Sequence, residues 1–442
     1  MTDSLKDRLI TKKVTIAPLV TFRLLYGVLM LASTIRFWAK GWIAEQFIAP
    51  KVFFPFVEGL SPLPGIGMYV VFALIAVSTL FIILGYYYRV AAMTFFLLFT
   101  YVELLDKTNY LNHYYFVSLI SFLMIFLPAN RDFSLDVKWR GIKSIDLIPV
   151  GYINILRFQM GVLYFFAGIA KINSDWLWRA QPMKMWLGAN VHLPMVGELF
   201  RYKITAYLFS WLGMIYDTTI PFLLSARKVW PYAYAAVVVF HLMTWWLFPI
   251  GMFPFIMIVI TTIFFPFAFH ERAVNWLKKV VNWQHTEGSV LPSIPRFTTS
   301  LMTLYILLQL LIPMRYLMYP GNLFWTEEGY RFSWRVMLME KAGQASFYVR
   351  DFDQNKALLQ PNYEYLTPQQ EKMMATQPDM IVQYAHFLEK KYKAKGMADP
   401  VITADIYVTL NGRKNRRFID PNIDLTEQEN TWHHKDWILD DQ

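Results

Sequence analysis

The chain of 442 residues has no cysteine. Disulfides, thiolate catalysis and cysteine-held metals are therefore excluded. Charge is also scarce, at 17% Asp, Glu, Lys and Arg, where soluble domains run nearer a quarter. No Gly-rich phosphate loop, nucleophile elbow, internal repeat or low-complexity tract is present. The histidine pair His433-His434 has no third ligand at useful spacing, so no metal site is expected. What fills the chain instead is hydrocarbon. It is 56% hydrophobic and 18% aromatic, and several apolar runs approach the ~20 residues that cross a bilayer.

The fold expected from this pattern is an α-helical polytopic membrane domain followed by a small extracytoplasmic α+β domain. Nine spans are expected, at 16–38, 68–85, 90–105, 114–128, 152–172, 204–224, 229–247, 251–267 and 301–318. The net charge of +10 belongs to short loops and does not indicate nucleic-acid binding. Lys6, Arg8, Lys12 and Lys13 precede the first span; Arg131, Lys138, Arg140 and Lys143 follow the fourth; Arg227 and Lys228 follow the sixth; Arg272, Lys278, Lys279 and Arg296 precede the ninth. With nine spans all these groups share one side, which the positive-inside rule makes cytoplasmic. The N-terminus is then cytoplasmic, with the first helix an uncleaved anchor. The stretch 173–203, with Arg179, Lys184, Arg201 and Lys203, is the one misfit.

The domain division expected is 1–318 and 319–442. In the second part, 332–340, 346–350 and 402–410 read as strands, and Asn411-Gly412 is a hairpin turn before a returning strand at 416–419. The stretch 369–393 reads as one amphipathic helix, with Met373, Met374, Ile381, Tyr384 and Phe387 on its apolar face.

Polar residues inside the apolar runs are the candidates for chemistry. Lys171 ends the fifth run, where an ammonium is costly. It either snorkels to the interface or, stripped of its charge by burial, serves as a general base. Under the nine-span topology Asn112, His113, Glu103, Asp106 and His241 fall in the same leaflet as Lys171, facing the soluble domain. Arg23 and Arg157 lie in the opposite leaflet, and Asp217, mid-span, calls for an arginine or lysine partner. Each histidine also has a structural reading, as an interface anchor (His113) or a satisfied core residue (His241). The tryptophans near span ends read mainly as an interfacial belt.

Several stretches resemble the vitamin K-dependent γ-glutamyl carboxylases. The segment 164–176, Tyr-Phe-Phe-Ala-Gly-Ile-Ala-Lys-Ile-Asn-Ser-Asp-Trp, is similar to that family's catalytic-lysine segment. The segment 106–113, ending Asn112-His113, resembles its Asn-His segment, and His241 with 247–253 resembles another. In the soluble part, 329–334 and 405–411 through 418–421 resemble the luminal domain, in family order. The resemblance implies an enzyme that uses reduced vitamin K, O2 and CO2. In it, Lys171 deprotonates the quinol, the oxygenated product removes a γ-proton from a peptide glutamate, CO2 adds to the carbanion and the quinol leaves as its epoxide. Asn112 and His113 are implied to stabilise oxygen anions. His241, Tyr330, Ser333 and Trp334 are implied substrate contacts. The implied partners are the bilayer, the quinol and a glutamate-containing peptide or protein. The stretch 337–346 lacks the histidines of animal members, and the chain stops soon after the last motif, so a short, bacterial-type relative carrying the horizontally transferred transmembrane domain is expected. Two other readings stay open: a quinol oxygenase that carboxylates no protein, and a transporter or lipid-binding protein of the same fold.

Overall fold

The computed structural model describes residues 7–284, 288–351 and 357–440; Lys6, counted above among the loop cations, lies outside them. A helix stands at each apolar run. In chain order these are Ala17–Ala39, Gly67–Leu84, Tyr88–Leu104, Asn112–Phe126, Gly151–Ala170, Lys203–Ser225, Trp230–Leu247, Phe253–Thr261 and Arg296–Leu311. Length and composition qualify four of the described helices as spans: Ala17–Ala39, Gly67–Leu84, Gly151–Ala170 and Arg296–Met318. A fifth is the bent pair Phe253–Phe264 and Phe267–Val280, turned by 106°. Four of the described helices, or five with the bent pair, are long and apolar enough to cross a bilayer, not the nine expected. The bend has a local cause. Pro266 disfavours helix at the residue before it, and Phe265 is extended, at φ −61° and ψ 155°.

At the end of the bundle away from Lys171, loops and the N-terminal segment form a small sheet. Lys13–Thr15 pairs antiparallel with Ile145–Pro149, which pairs parallel with Ser289–Val290. At the other end sits the α+β part. Its sheet runs in the order Leu358–Gln360, Lys341–Asp351, Pro400–Leu410, Arg416–Arg417, all antiparallel. The hairpin turn forms as expected. Asn411 and Gly412 both have positive φ, 50° and 73°, and Arg413 N–H donates to Leu410 O at 3.0 Å.

Two expected elements differ. The stretch 332–340 is not a strand. Phe332, Trp334 and Met337 all have φ between +52° and +59°, so the chain repeatedly reverses the pleat that alternation alone suggested. The helix expected over 369–393 is two helices, Pro368–Met374 and Pro378–Ala394. Pro378 forces Gln377 out of the helical region, to φ −120° and ψ 111°. The first helix begins with a capping box between Thr367 and Gln370. Together they bury Met374, Ile381, Tyr384 and Leu388 against the sheet residues Phe347, Ile402 and Ile406.

Candidate functional site

The lysine helix, Gly151–Ala170, ends at Lys171, which is its C-cap. It lies against the helix Lys203–Ser225 with almost no gap at Gly168, one turn before the lysine. A Cβ at Gly168 would stand 2.6 Å from the backbone nitrogen of Thr218. Only a residue without a side chain permits that approach. The approach delivers the neighbour of Thr218. Asp217 Oδ2 accepts a hydrogen bond from Lys171 Nζ at 2.8 Å, and Ala167 O accepts a second at 3.1 Å. Both side chains are under 10% exposed. The lysine is thus neither alone in hydrocarbon nor snorkelling: its cost of burial is offset by a paired carboxylate. The Trp176 ring stands 5.4 Å from Nζ and is fixed in turn by its Nε1–H donating to Ser210 O at 2.6 Å.

A chamber of about 190 Å³ opens over this pair. Its walls are mostly apolar, including Leu163, Leu212, Phe240 and Leu247, with His241 and Tyr164 among them. His241 Nε2 and Tyr164 Oη are 2.9 Å apart, and His241 Nδ1 is buried with no hydrogen-bond partner among the described residues. Burying an unpaired ring nitrogen costs free energy, so this atom marks a place for a polar ligand atom.

Asn112 and His113 do not line that chamber. They border a second one, of about 360 Å³, together with Arg36. The two chambers share the side chains of Ile250, Phe253, Val336 and Met337. Phe253 is the partition, its ring centroid 5.7 Å from His113 on one side and 5.7 Å from His241 on the other. His113 makes no hydrogen bond to any described residue and contacts Tyr114 and Phe253 by ring packing. Asn112 is committed to the soluble part: its Nδ2 donates to Arg335 O at 3.0 Å and its Oδ1 accepts from Tyr110 Oη at 3.2 Å. Tyr110 Oη also accepts from Phe332 N at 2.9 Å.

Tyr330, Ser333 and Trp334 line neither chamber. Ser333 hydrogen-bonds Tyr330 O, and Trp334 is fully buried, its ring stacked 5.0 Å from Tyr115. The residues of this segment that reach the chambers are Val336 and Met337. Glu103 donates nothing to either chamber; it accepts from Ser118 Oγ at 2.7 Å beside a separate cavity. Asp106 caps the turn Lys107–Asn109 and accepts from Gln370 Nε2. Arg23 donates to Ala129 O and Phe133 O, and Arg157 to Ile263 O, all away from the lysine.

The soluble part is tied down beside the lysine. Asp175, four residues on, accepts from Asn411 Nδ2 at 2.8 Å and from Arg413 Nη2 at 2.8 and 2.9 Å. Trp186 Nε1–H donates to Glu340 at 2.8 Å. Across the other edge, Asp379 takes ion pairs from Lys107 at 2.8 Å and Arg331 at 2.6 Å. Burial pushes the Asp379 carboxyl up, but the two cations outweigh it and hold it well below the usual carboxylate range. Lys107 is pushed down by burial, against the pull of Asp379.

Sequence reasoning gave no role to Arg36, Phe253, Met337 or Tyr164, although Tyr164 and Phe253 fall within the resembling segments 164–176 and 247–253. For Arg36 there was a signal, a cation near the external end of the first apolar run. The others are apolar or aromatic residues that only packing brings to the site. Among the described residues no cluster of three potential metal ligands occurs.

Apolar helices long enough to cross a bilayer, with a docked α+β domain, define a membrane protein. The HTTM domain family model matches residues 11–269, well over half the chain, and the model of the vitamin K-dependent gamma-carboxylase lumenal domain matches 294–442. The chain belongs to the vitamin K-dependent gamma-carboxylase family. No solved structure matches it.

Proposed function

We propose that this protein is a quinol-dependent γ-glutamyl carboxylase working as two parts, 1–318 in the membrane and 319–442 outside it, with the N-terminus cytoplasmic and nine helices crossing or entering the bilayer. The observation that carries the reading is the buried Lys171–Asp217 pair at the floor of an apolar chamber. A flat, lipid-soluble hydroquinone suits such walls, and the unpartnered His241 Nδ1 offers one polar contact to its ring oxygens. When bound, the quinol supplies, with O2, the strong base that takes a glutamate γ-proton for CO2 to replace.

Lys171 works as the neutral amine, after giving one proton up to solvent; Nζ then accepts the hydroxyl proton, and the ammonium this forms is paired at once with the Asp217 carboxylate. Asp217 fixes where Nζ points and stays ionised, so the ammonium formed by accepting the proton is not left alone in hydrocarbon. Trp176, Leu247 and Phe253 keep water from the base, which water would quench. The glutamyl side chain enters from the soluble side through the second chamber. There Arg36 is the available cation for a carboxylate, and His113 is free to bond an oxygen anion. Asn112 acts by holding the 332–337 segment in place, and Tyr330, Ser333 and Trp334 act by shaping the same segment behind Val336 and Met337. The positive φ angles at Phe332, Trp334 and Met337 support a functional reason for this shape, since such strain persists only where surrounding structure imposes it.

The test is incorporation of labelled bicarbonate into a glutamate-containing peptide by purified protein, with quinol and O2 present or withheld. Label that needs both supports the carboxylase. Epoxide without label rejects protein carboxylation and leaves a quinol oxygenase. Label that appears without quinol contradicts the reading altogether.

A further inference from the structure

The lysine helix begins about 30 Å from Lys171, by its rise of 1.5 Å per residue. At that far end lies a cavity of about 360 Å³, bordered by Tyr152, the end of the helix Asn112–Phe126, the loop after it, and Leu291 and Pro295. Three arginines face it, Arg89, Arg131 and Arg140, with a single carboxylate, Asp136.

That carboxylate is fully used. It accepts from Tyr87 N at 2.8 Å, Tyr88 N at 3.1 Å, Asn130 Nδ2 at 2.6 Å and Arg140 Nη1 at 2.9 Å. Burial opposes its charge, but these bonds prevail and keep it below the usual range. Asp136 therefore pairs with Arg140, and its charge also reaches the buried Arg23, but neither Arg89 nor Arg131 bonds it. Arg131 gives its Nε–H to Lys143 O at 2.9 Å and has no carboxylate partner among the described residues. Arg89 makes no hydrogen bond or ion pair with any described residue. The two are close enough to oppose one another: Arg131 is pushed down by burial first and by the charge of Arg89 second. Two guanidiniums sharing a cavity whose one carboxylate is taken by Arg140 form a receptor for a phosphate, whose oxygens take their paired N–H groups.

A second observation identifies the phosphate's carrier. Arg89 sits at the head of an exposed apolar stripe on the helix Tyr88–Leu104, formed by Val90, Met93 and Leu97. Their spacing puts them on one face. The exposed ring of Tyr87 borders the cavity, as aromatic side chains do at headgroup depth. Inorganic phosphate has no use for the stripe. A glycerophospholipid uses both features, its headgroup on the arginines and an acyl chain along Val90, Met93 and Leu97. Basic pockets between membrane helices commonly hold such headgroups.

We propose that Arg89 and Arg131 bind the phosphate of an anionic glycerophospholipid in the leaflet opposite the extracytoplasmic domain. The test uses the full chain purified in detergent, with the unfolding midpoint followed as lipid is added. Phosphatidylglycerol raises the wild-type midpoint, phosphatidylcholine with the same chains does so far less, and Arg89→Gln/Arg131→Gln needs at least fivefold more phosphatidylglycerol for the same rise. Arg227→Gln, an exposed arginine at the same end of the bundle, responds as wild type. An equal response of wild type and double variant overturns the site. A full rise with inorganic phosphate alone, or with phosphatidylcholine, overturns the anionic-lipid assignment. Should the double variant not fold, Arg89→Gln alone decides, because that side chain bonds nothing: an unchanged dose response in it rejects the proposal.

Discussion

Lys171 Nζ donates to Asp217 Oδ2 at 2.8 Å across two helices that touch at Gly168. The ion pair and the glycine are one device: without the close approach, Asp217 cannot reach the lysine. Gly168→Ala therefore acts on activity without changing any titratable group. Its Cβ would stand 2.5–2.9 Å from Thr218 atoms, two of them backbone, so the helices must separate. We expect quinol turnover to fall at least ~10-fold and the unfolding midpoint to drop, because overpacking costs about 1–3 kcal/mol. Wild-type turnover in this variant would separate the glycine from the site.

Asp217→Asn leaves the shape and removes the charge. Taking one partner from a buried ion pair costs about 3–5 kcal/mol, and a general base deprived of its orienting group loses part of the ~10²–10⁴-fold that acid–base catalysis contributes. Epoxide formation should fall at least ~10-fold with its pH profile displaced. A profile identical to wild type would make Asp217 structural only.

Phe253 separates His113 from His241. Phe253→Leu keeps apolar volume and removes the ring that both imidazoles pack on. If the partition keeps water from the base, the variant forms more epoxide per CO2 fixed than wild type. An unchanged ratio, measured by product quantification in one reaction, argues that the chambers are not joined there.

The soluble part should undock in acid. Asp379 is held below its usual pKa in the folded protein, so its stabilising contribution is present above about pH 4 and is lost as pH falls further, through the depressed folded value. Asp379→Asn leaves Lys107 and Arg331 buried without an anion and should cost about 3 kcal/mol at neutral pH. Hydrogen exchange at 106–113 and 377–383 reads this directly: protection should fall in the variant, and fall in wild type only below about pH 4. Protection unchanged at both would contradict the role of the pair.

Lys171 and Asn112-His113 were legible because each breaks an apolar run, a local signal. Asp217 could be seen to need a cation, but which one depends on helix rotation across 46 residues of chain, and rotation is set by Gly168. The 332–340 segment misled because its aromatic and apolar residues alternate as a strand does, while its geometry is imposed from outside by Tyr110 and Asn112. Pro378 and Pro266 interrupt helices that apolar periodicity alone would run straight through. The separation of two chambers by Phe253 left no trace in the sequence, since an aromatic in an apolar run is the commonest of core residues.

The most direct test of the account is epoxide formation from a reduced naphthoquinone by purified wild type and Lys171→Ala, both checked for folding by thermal unfolding. The account predicts epoxide from wild type and a loss of at least ~10²-fold in the variant. A folded Lys171→Ala protein that forms epoxide at the wild-type rate would contradict it.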